Sequence, residues 1–146
     1  ALAKDPRFAL YPQWMREQVA AVSSGRGPGL PGAEFSDPDG PGKMVMDVMK
    51  AGGRVVAGTD SPNAINLHGE LAAYVAAGMT PYQALRAATV TPAEALGLEA
   101  GSVEPGKLAD LVFVDGNPLE NIGAAHHIKH ILANERIHEL KNLLGR

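Results

Sequence analysis

The 146-residue sequence predicts a mixed α/β chain, helical in its middle and β-rich beyond Gly97. Three observations carry that prediction. Apolar residues recur at helical spacing from Met44 to Leu96, with helix-start signals at Thr80 and Thr91. A short apolar run, Arg54-Val55-Val56-Ala57, ends in the turn signal Gly58-Thr59-Asp60-Ser61-Pro62. After Gly97, turn-rich stretches alternate with short runs of strand-forming residues.

Taken in order, residues 5–22 read as a helix, with Trp14, Met15, Val19 and Val22 spaced for one apolar face. Ser23 to Gly42 reads as loop, because its glycines and prolines forbid a regular element. A loop of that length inside a compact domain is often functional, for example as an active-site lid. Met44 to Ala51 suits a helix stopped by Gly52-Gly53, and Arg54 to Gly58 a fully buried strand. Leu67, Leu71, Tyr74 and Val75 share the next helix face, and Gly78 stands where that helix ends in a left-handed residue. Thr80-Pro81-Tyr82-Gln83 reads as a capping box with proline at the first helical position, and Thr91-Pro92-Ala93-Glu94 as a second one. Each such cap contributes about 1 kcal/mol. Leu108 to Val114 reads as a strand, and Ile128 to Leu132 with Arg136 to Leu140 as a hairpin around Ala133-Asn134-Glu135.

Composition narrows the function classes. The chain is long enough for one core, and 45% hydrophobic with 20% charged residues is an ordinary globular balance. A formal net charge of -3 gives no reason to expect nucleic acid or an anionic membrane as partner. No apolar run approaches the roughly 20 residues that span a bilayer, and the start lacks a signal-peptide layout. The compartment stays open, with cytoplasm ahead of periplasm. Zero cysteines removes disulfides, cysteine-ligated zinc and thiol nucleophiles.

Asp60 is the leading candidate for chemistry. It sits at the end of the apolar run where the backbone turns into a loop, the address at which barrel enzymes place catalytic groups. By itself this is a weak signal, since an aspartate before Ser-Pro is also an ordinary turn former. Its neighbours add weight. Leu67-His68-Gly69-Glu70-Leu71, Ala77-Gly78-Met79-Thr80-Pro81 and Ala84-Leu85-Arg86-Ala87-Ala88-Thr89 follow it. Then come Thr91-Pro92-Ala93, the stretch from Gly101-Ser102-Val103-Glu104-Pro105-Gly106-Lys107 to Val112, and Asp115-Gly116-Asn117-Pro118-Leu119. In order and spacing these motifs resemble the carboxy-terminal part of the amidohydrolase superfamily, over about residues 43–140.

The resemblance implies an α/β fold made of the C-terminal part of a distorted (β/α)8 barrel plus returning strands of a small β-sandwich. Residues 1–100 would be the end of the barrel, with 54–58 as its last strand, and residues 101–146 the sandwich strands. It also implies a divalent metal, zinc first, as one or two ions in the complete enzyme. Asp60 would be both metal ligand and catalytic base, then acid, toward a metal-bound water whose pKa the ion brings to about 7. His68, at the start of the following helix, stands near enough to touch substrate, with a solvent- or carboxylate-satisfied helix-start histidine as the equal alternative. Ser61 would line the same pocket, as would Asn63, which is equally a turn residue.

The resemblance thus points to a hydrolase of C–N bonds in amides, peptides or cyclic amides, nearer the imidazolonepropionase and dipeptidase-like branches than the dihydroorotases. The family's remaining metal ligands are absent from this sequence, so the chain is expected to be inactive alone and part of a larger enzyme. Its expected partners are a small-molecule or peptide substrate and the remainder of the barrel or another copy of the chain, with a homo-oligomer expected. A non-catalytic scaffold or oligomerisation module, or a lactone or phosphoester hydrolase on the same site, are the alternatives.

Other motifs carry less. Gly25-Arg26-Gly27-Pro28-Gly29 lacks the strand and helix of a phosphate loop, and Asp37-Pro38-Asp39-Gly40 falls short of a calcium loop. His126-His127-Ile128-Lys129-His130 has ligand-like spacing, but neighbouring strand side chains point to opposite faces, so a solvated strand or its leading loop is expected. Asn134-Glu135 stands where the family usually has Asn-Gly, so a longer loop is expected there than a tight turn with two positive φ values.

Overall fold

The structure of the chain, a computed structural model, describes residues 12–14, 16, 17, 20, 40–59 and 65–143. Gln13, Trp14, Arg16, Glu17 and Ala20 are helical, as expected for the 5–22 segment, and Gln13 Nε2 donates to Glu17 Oε1 at 2.8 Å. Most of the expected loop, residues 23–39, lies outside the described residues.

Helix α1 spans Gly40–Lys50, so Gly40, Pro41 and Gly42 are helical where loop was expected. The reason is positional: proline has no N–H to lose in a first turn, and its φ already suits a helix there. Gly42 also permits a close crossing, since a Cβ on it would lie 3.0 Å from Ala77 Cβ. The stop at Gly52-Gly53 is as expected. Gly52, at φ +80°, donates to the Met49 carbonyl at 3.0 Å, and Gly53 donates to that of Val48 at 2.9 Å.

Residues 54–58, expected as a fully buried strand, are without strand partners among the described residues, and Val56 is exposed while Val55 and Ala57 are half-buried. An interior strand needs a neighbour at each edge to satisfy its backbone. Here Ala57 N–H instead donates to the Ala87 carbonyl at 2.8 Å, which lays the segment along the helices.

Three helices follow: α2 (Ile65–Ala77), α3 (Pro81–Ala88) and α4 (Val90–Leu96). Gly78, at φ +119°, ends α2 with the same bond pair, its N–H to the Val75 carbonyl at 3.1 Å and that of Met79 to Tyr74 at 3.0 Å. The Thr80 capping box forms as expected, with Gln83 N–H on Thr80 Oγ1 at 3.2 Å and Thr80 N–H on Gln83 Oε1 at 2.8 Å. The second box does not form. Helix α4 begins at Val90, so Thr91 lies inside it, and Glu94 pairs with Arg54 and, at 3.8 Å, with Arg86. A full guanidinium charge outcompetes one cap amide for that carboxylate.

Leu71, Met79 and Ala84 form the buried centre, and Met46, Met49, Val55, Ala57, Tyr74 and Ile122 are among the half-buried residues packed on it. Burying a side chain such as Leu71 contributes about 1.5–3 kcal/mol, so this small cluster holds α1, residues 54–57 and α2–α3 together.

The remainder is an antiparallel sheet in the order β1 (Leu111–Val114), β2 (Ile128–Ala133), β3 (Arg136–Glu139), with a 3₁₀ turn over Ile122–His126 between the first two and a short α5 (Leu140–Leu143) at the end. Strand β1 starts later than Leu108, and Leu140 belongs to α5. Leu111, Leu132 and Ile137 lie opposite one another across the sheet, and an irregularity between Phe113 and Val114 shifts the register. The hairpin turn corrects the expectation of a longer loop. Asn134 (φ 50°) and Glu135 (φ 62°) are both left-handed, and Ala133 pairs directly with Arg136. Two-residue turns of this hand match the strand twist, and that match outweighs the cost of a left-handed glutamate. Among the described residues no helix is long and apolar enough to cross a membrane.

Candidate active site

The segment that leads to Asp60 is fixed at both ends by the helices it lies on. At its start the Arg54 guanidinium pairs with Glu94 and donates to the Thr91 carbonyl at 3.4 Å. Near its end the Ala57–Ala87 backbone bond holds it. Asp60, Ser61 and Asn63 themselves lie outside the described residues.

His68 lies in the first turns of α2 and is half-buried. Its ring meets that of His126, with centroids 4.1 Å apart and planes inclined at 36°. Sequence reasoning missed this pairing, because it placed residues 126–130 on a solvated strand or loop. In the structure His126 closes the 3₁₀ turn and is half-buried. The available signal was Asn121, whose side chain caps that turn by accepting from Gly123 N–H at 3.0 Å. Only His130 of the remaining group shows a ring contact, edge-on to Phe113 at 6.4 Å.

Further along α2, Tyr74 Oη donates to Glu70 Oε1 at 2.5 Å. Burial first, and then the carboxylate beside it, push the Tyr74 hydroxyl well above the usual tyrosine pKa of 10.0. Tyr74 is therefore a fixed neutral donor that keeps Glu70 oriented along the helix. A separate open pocket of about 210 Å³ is lined by Gly53, Arg54, Gln83, Arg86 and Glu94. It lies at the start of the 54–58 segment.

Among the described residues no three His, Asp, Glu or Cys side chains converge to hold a metal ion. The described residues therefore do not amount to a metal centre, and the His126–His130 run does not form one.

This arrangement of helices, capped turn and following sheet matches a known class. Residues 43–142 match the model of the amidohydrolase family, and the chain belongs to that family. It is 34% identical over 79 residues to a 5-methylthioadenosine/S-adenosylhomocysteine deaminase of Teredinibacter turnerae, covering 53% of this chain and 18% of the relative. It is 58% identical over 38 residues to an adenine deaminase of Methanosphaera stadtmanae, covering 26% of this chain and 7% of the relative. Among solved structures, an amidohydrolase shares 30% identity at a TM-score of 0.64, over 84% of this chain and 32% of that one. A Xaa-Pro dipeptidase with methionine in its active site superposes at a TM-score of 0.62 with 22% identity, over 94% of this chain and 32% of the other, a likeness of fold. The chain thus spans about a third of the solved structures it matches and less of the curated relatives.

Proposed function

We propose that this chain is the C-terminal portion of a metal-dependent enzyme that hydrolyses C–N bonds, with Asp60 as its proton shuttle. The observation that carries this reading is the ordered set of motifs around Gly58-Thr59-Asp60, inside the family match over residues 43–142. The relatives' names, two deaminases and a dipeptidase, share one chemistry: water adds to a carbon that bears nitrogen, and the nitrogen departs.

In that reaction the Asp60 carboxylate takes the proton from the attacking water as the new C–O bond forms. It then gives the proton to the departing amine or ammonia as the C–N bond breaks. The divalent metal of the family would draw its other ligands from outside the described residues, with Asp60 contributing one. His68, near the mouth, contacts the substrate, and Ser61 lines the same pocket. In this reading residues 1–100 form the end of a barrel and residues 101–146 strands of a β-sandwich, which accounts for an apolar segment at 54–58 without strand partners among the described residues.

The test uses the longer protein that contains this sequence, assayed for ammonia release from aminopurines and for cleavage of Xaa-Pro dipeptides. Asp60→Asn removes the proton acceptor with little change in volume, so kcat should fall about 10²- to 10⁴-fold with the fold intact. His68→Ala should act mainly on KM. Turnover near normal in Asp60→Asn overturns the shuttle, and hydrolysis of neither substrate class, with lactone or phosphoester cleavage instead, overturns the C–N reading.

A further inference from the structure

We infer that His126 is a positioning residue, whose ring holds the His68 imidazole in its working orientation at the substrate end of α2. The inference rests on the reading of His68 given above. It starts from the ring contact, 4.1 Å between centroids, between two half-buried side chains. Half-buried rings in contact have few alternative rotamers, so each restricts the other.

The 3₁₀ turn that carries His126 is itself held in place. Asn121 caps it, Ala124 N–H donates to the Asn121 carbonyl at 2.9 Å, and Ala124 is buried. Its exit is tied to the end of β1, where Asp115 N–H donates to the His127 carbonyl at 2.8 Å. The turn meets the helical half twice. Ile122 packs on the cluster that contains Leu71, and His126 packs on His68. Ile122 and His126 lie near the two ends of the turn, and His68 and Leu71 on adjacent positions of one α2 face, so the dock fixes rotation as well as separation. An imidazole offers a donor on one nitrogen and an acceptor on the other, and which of them meets a substrate depends on how the ring is turned. A neighbour that fixes the ring plane therefore selects the group presented.

The test combines kinetics with a readout that needs no substrate. In the full-length enzyme, His126→Ala should raise KM about three- to tenfold, the range of one ring-stacking contact. The same change should leave kcat within about twofold. Placed on a His68→Ala background, His126→Ala should change nothing further, and His126→Phe, which keeps a ring, should preserve the original KM. Unchanged KM in His126→Ala, or effects of the two substitutions that multiply, overturns the inference. Histidine-ring ¹H–¹⁵N spectra read the same contact directly: the His68 ring signals should move in His126→Ala and return toward their original positions in His126→Phe. Signals that stay in place overturn the inference whatever the substrate is. Signals that move in a protein without C–N hydrolase activity uphold the positioning contact and overturn the proposed reaction alone.

Discussion

The helical segment from Ile65 to Leu96 and the sheet from Leu111 to Glu139 solve the burial problem differently. The helices bury a centre on which α1, residues 54–57 and Ile122 also pack: Leu71, Met79, Ala84, Ala87 and Ala93 are all buried. The sheet leaves Val112, Phe113 and Ile137 exposed, at 58%, 46% and 69%. Three short helices joined by tight turns bring apolar faces together through contacts close in sequence. A three-stranded sheet has two faces and two edges, and needs a second layer to bury them. Among the described residues the 3₁₀ turn and α5 pack against the sheet, and its exposed apolar residues form the sort of surface that a further layer covers.

That contrast can be broken or sharpened by substitution. Leu71→Ala empties the centre of the helical half and should cost about 2–5 kcal/mol in denaturant melts. Val112→Ala should cost much less, and an equal cost in the longer protein would mean that its remaining residues cover the sheet. Glu135→Gly tests the sheet's own weak point. It relieves a left-handed glutamate and should stabilise by about 0.5–1 kcal/mol, seen as a raised Tm. A destabilised variant would show that Glu135 holds a contact outweighing its backbone strain.

The smallest effect at neutral pH belongs to Tyr74, and it emerges in alkali. Its folded pKa lies above the unfolded value near 10.0. Above that pH the unfolded chain loses its proton first, so stability is fully present below about pH 10 and declines as pH rises further. Tyr74→Phe should flatten that decline in Tm measured from pH 9 to 11. An identical slope in both proteins would remove Tyr74 as its source.

The parts of the fold that were legible in the sequence depend on neighbours in the chain. The Thr80–Gln83 capping box, the glycine stops at Gly52 and Gly78 and the position of the 128–139 hairpin each need only a few consecutive residues. The misreadings share one cause. Glu94 left its cap for Arg54, forty residues away in sequence. The two-residue turn was judged by Glu135 alone, whereas the twist of β2 against β3 selects its hand.

The sequence by itself determined the family, because a motif is a local pattern whose order and spacing survive without any knowledge of the fold. Tertiary structure alone decided that His126 lies against His68 and that Arg54 is held by Glu94. These are contacts between residues 58 and 40 positions apart, and no local pattern encodes them. They form because burying a few shared apolar side chains around Leu71 brings distant segments together, and the polar partners then follow.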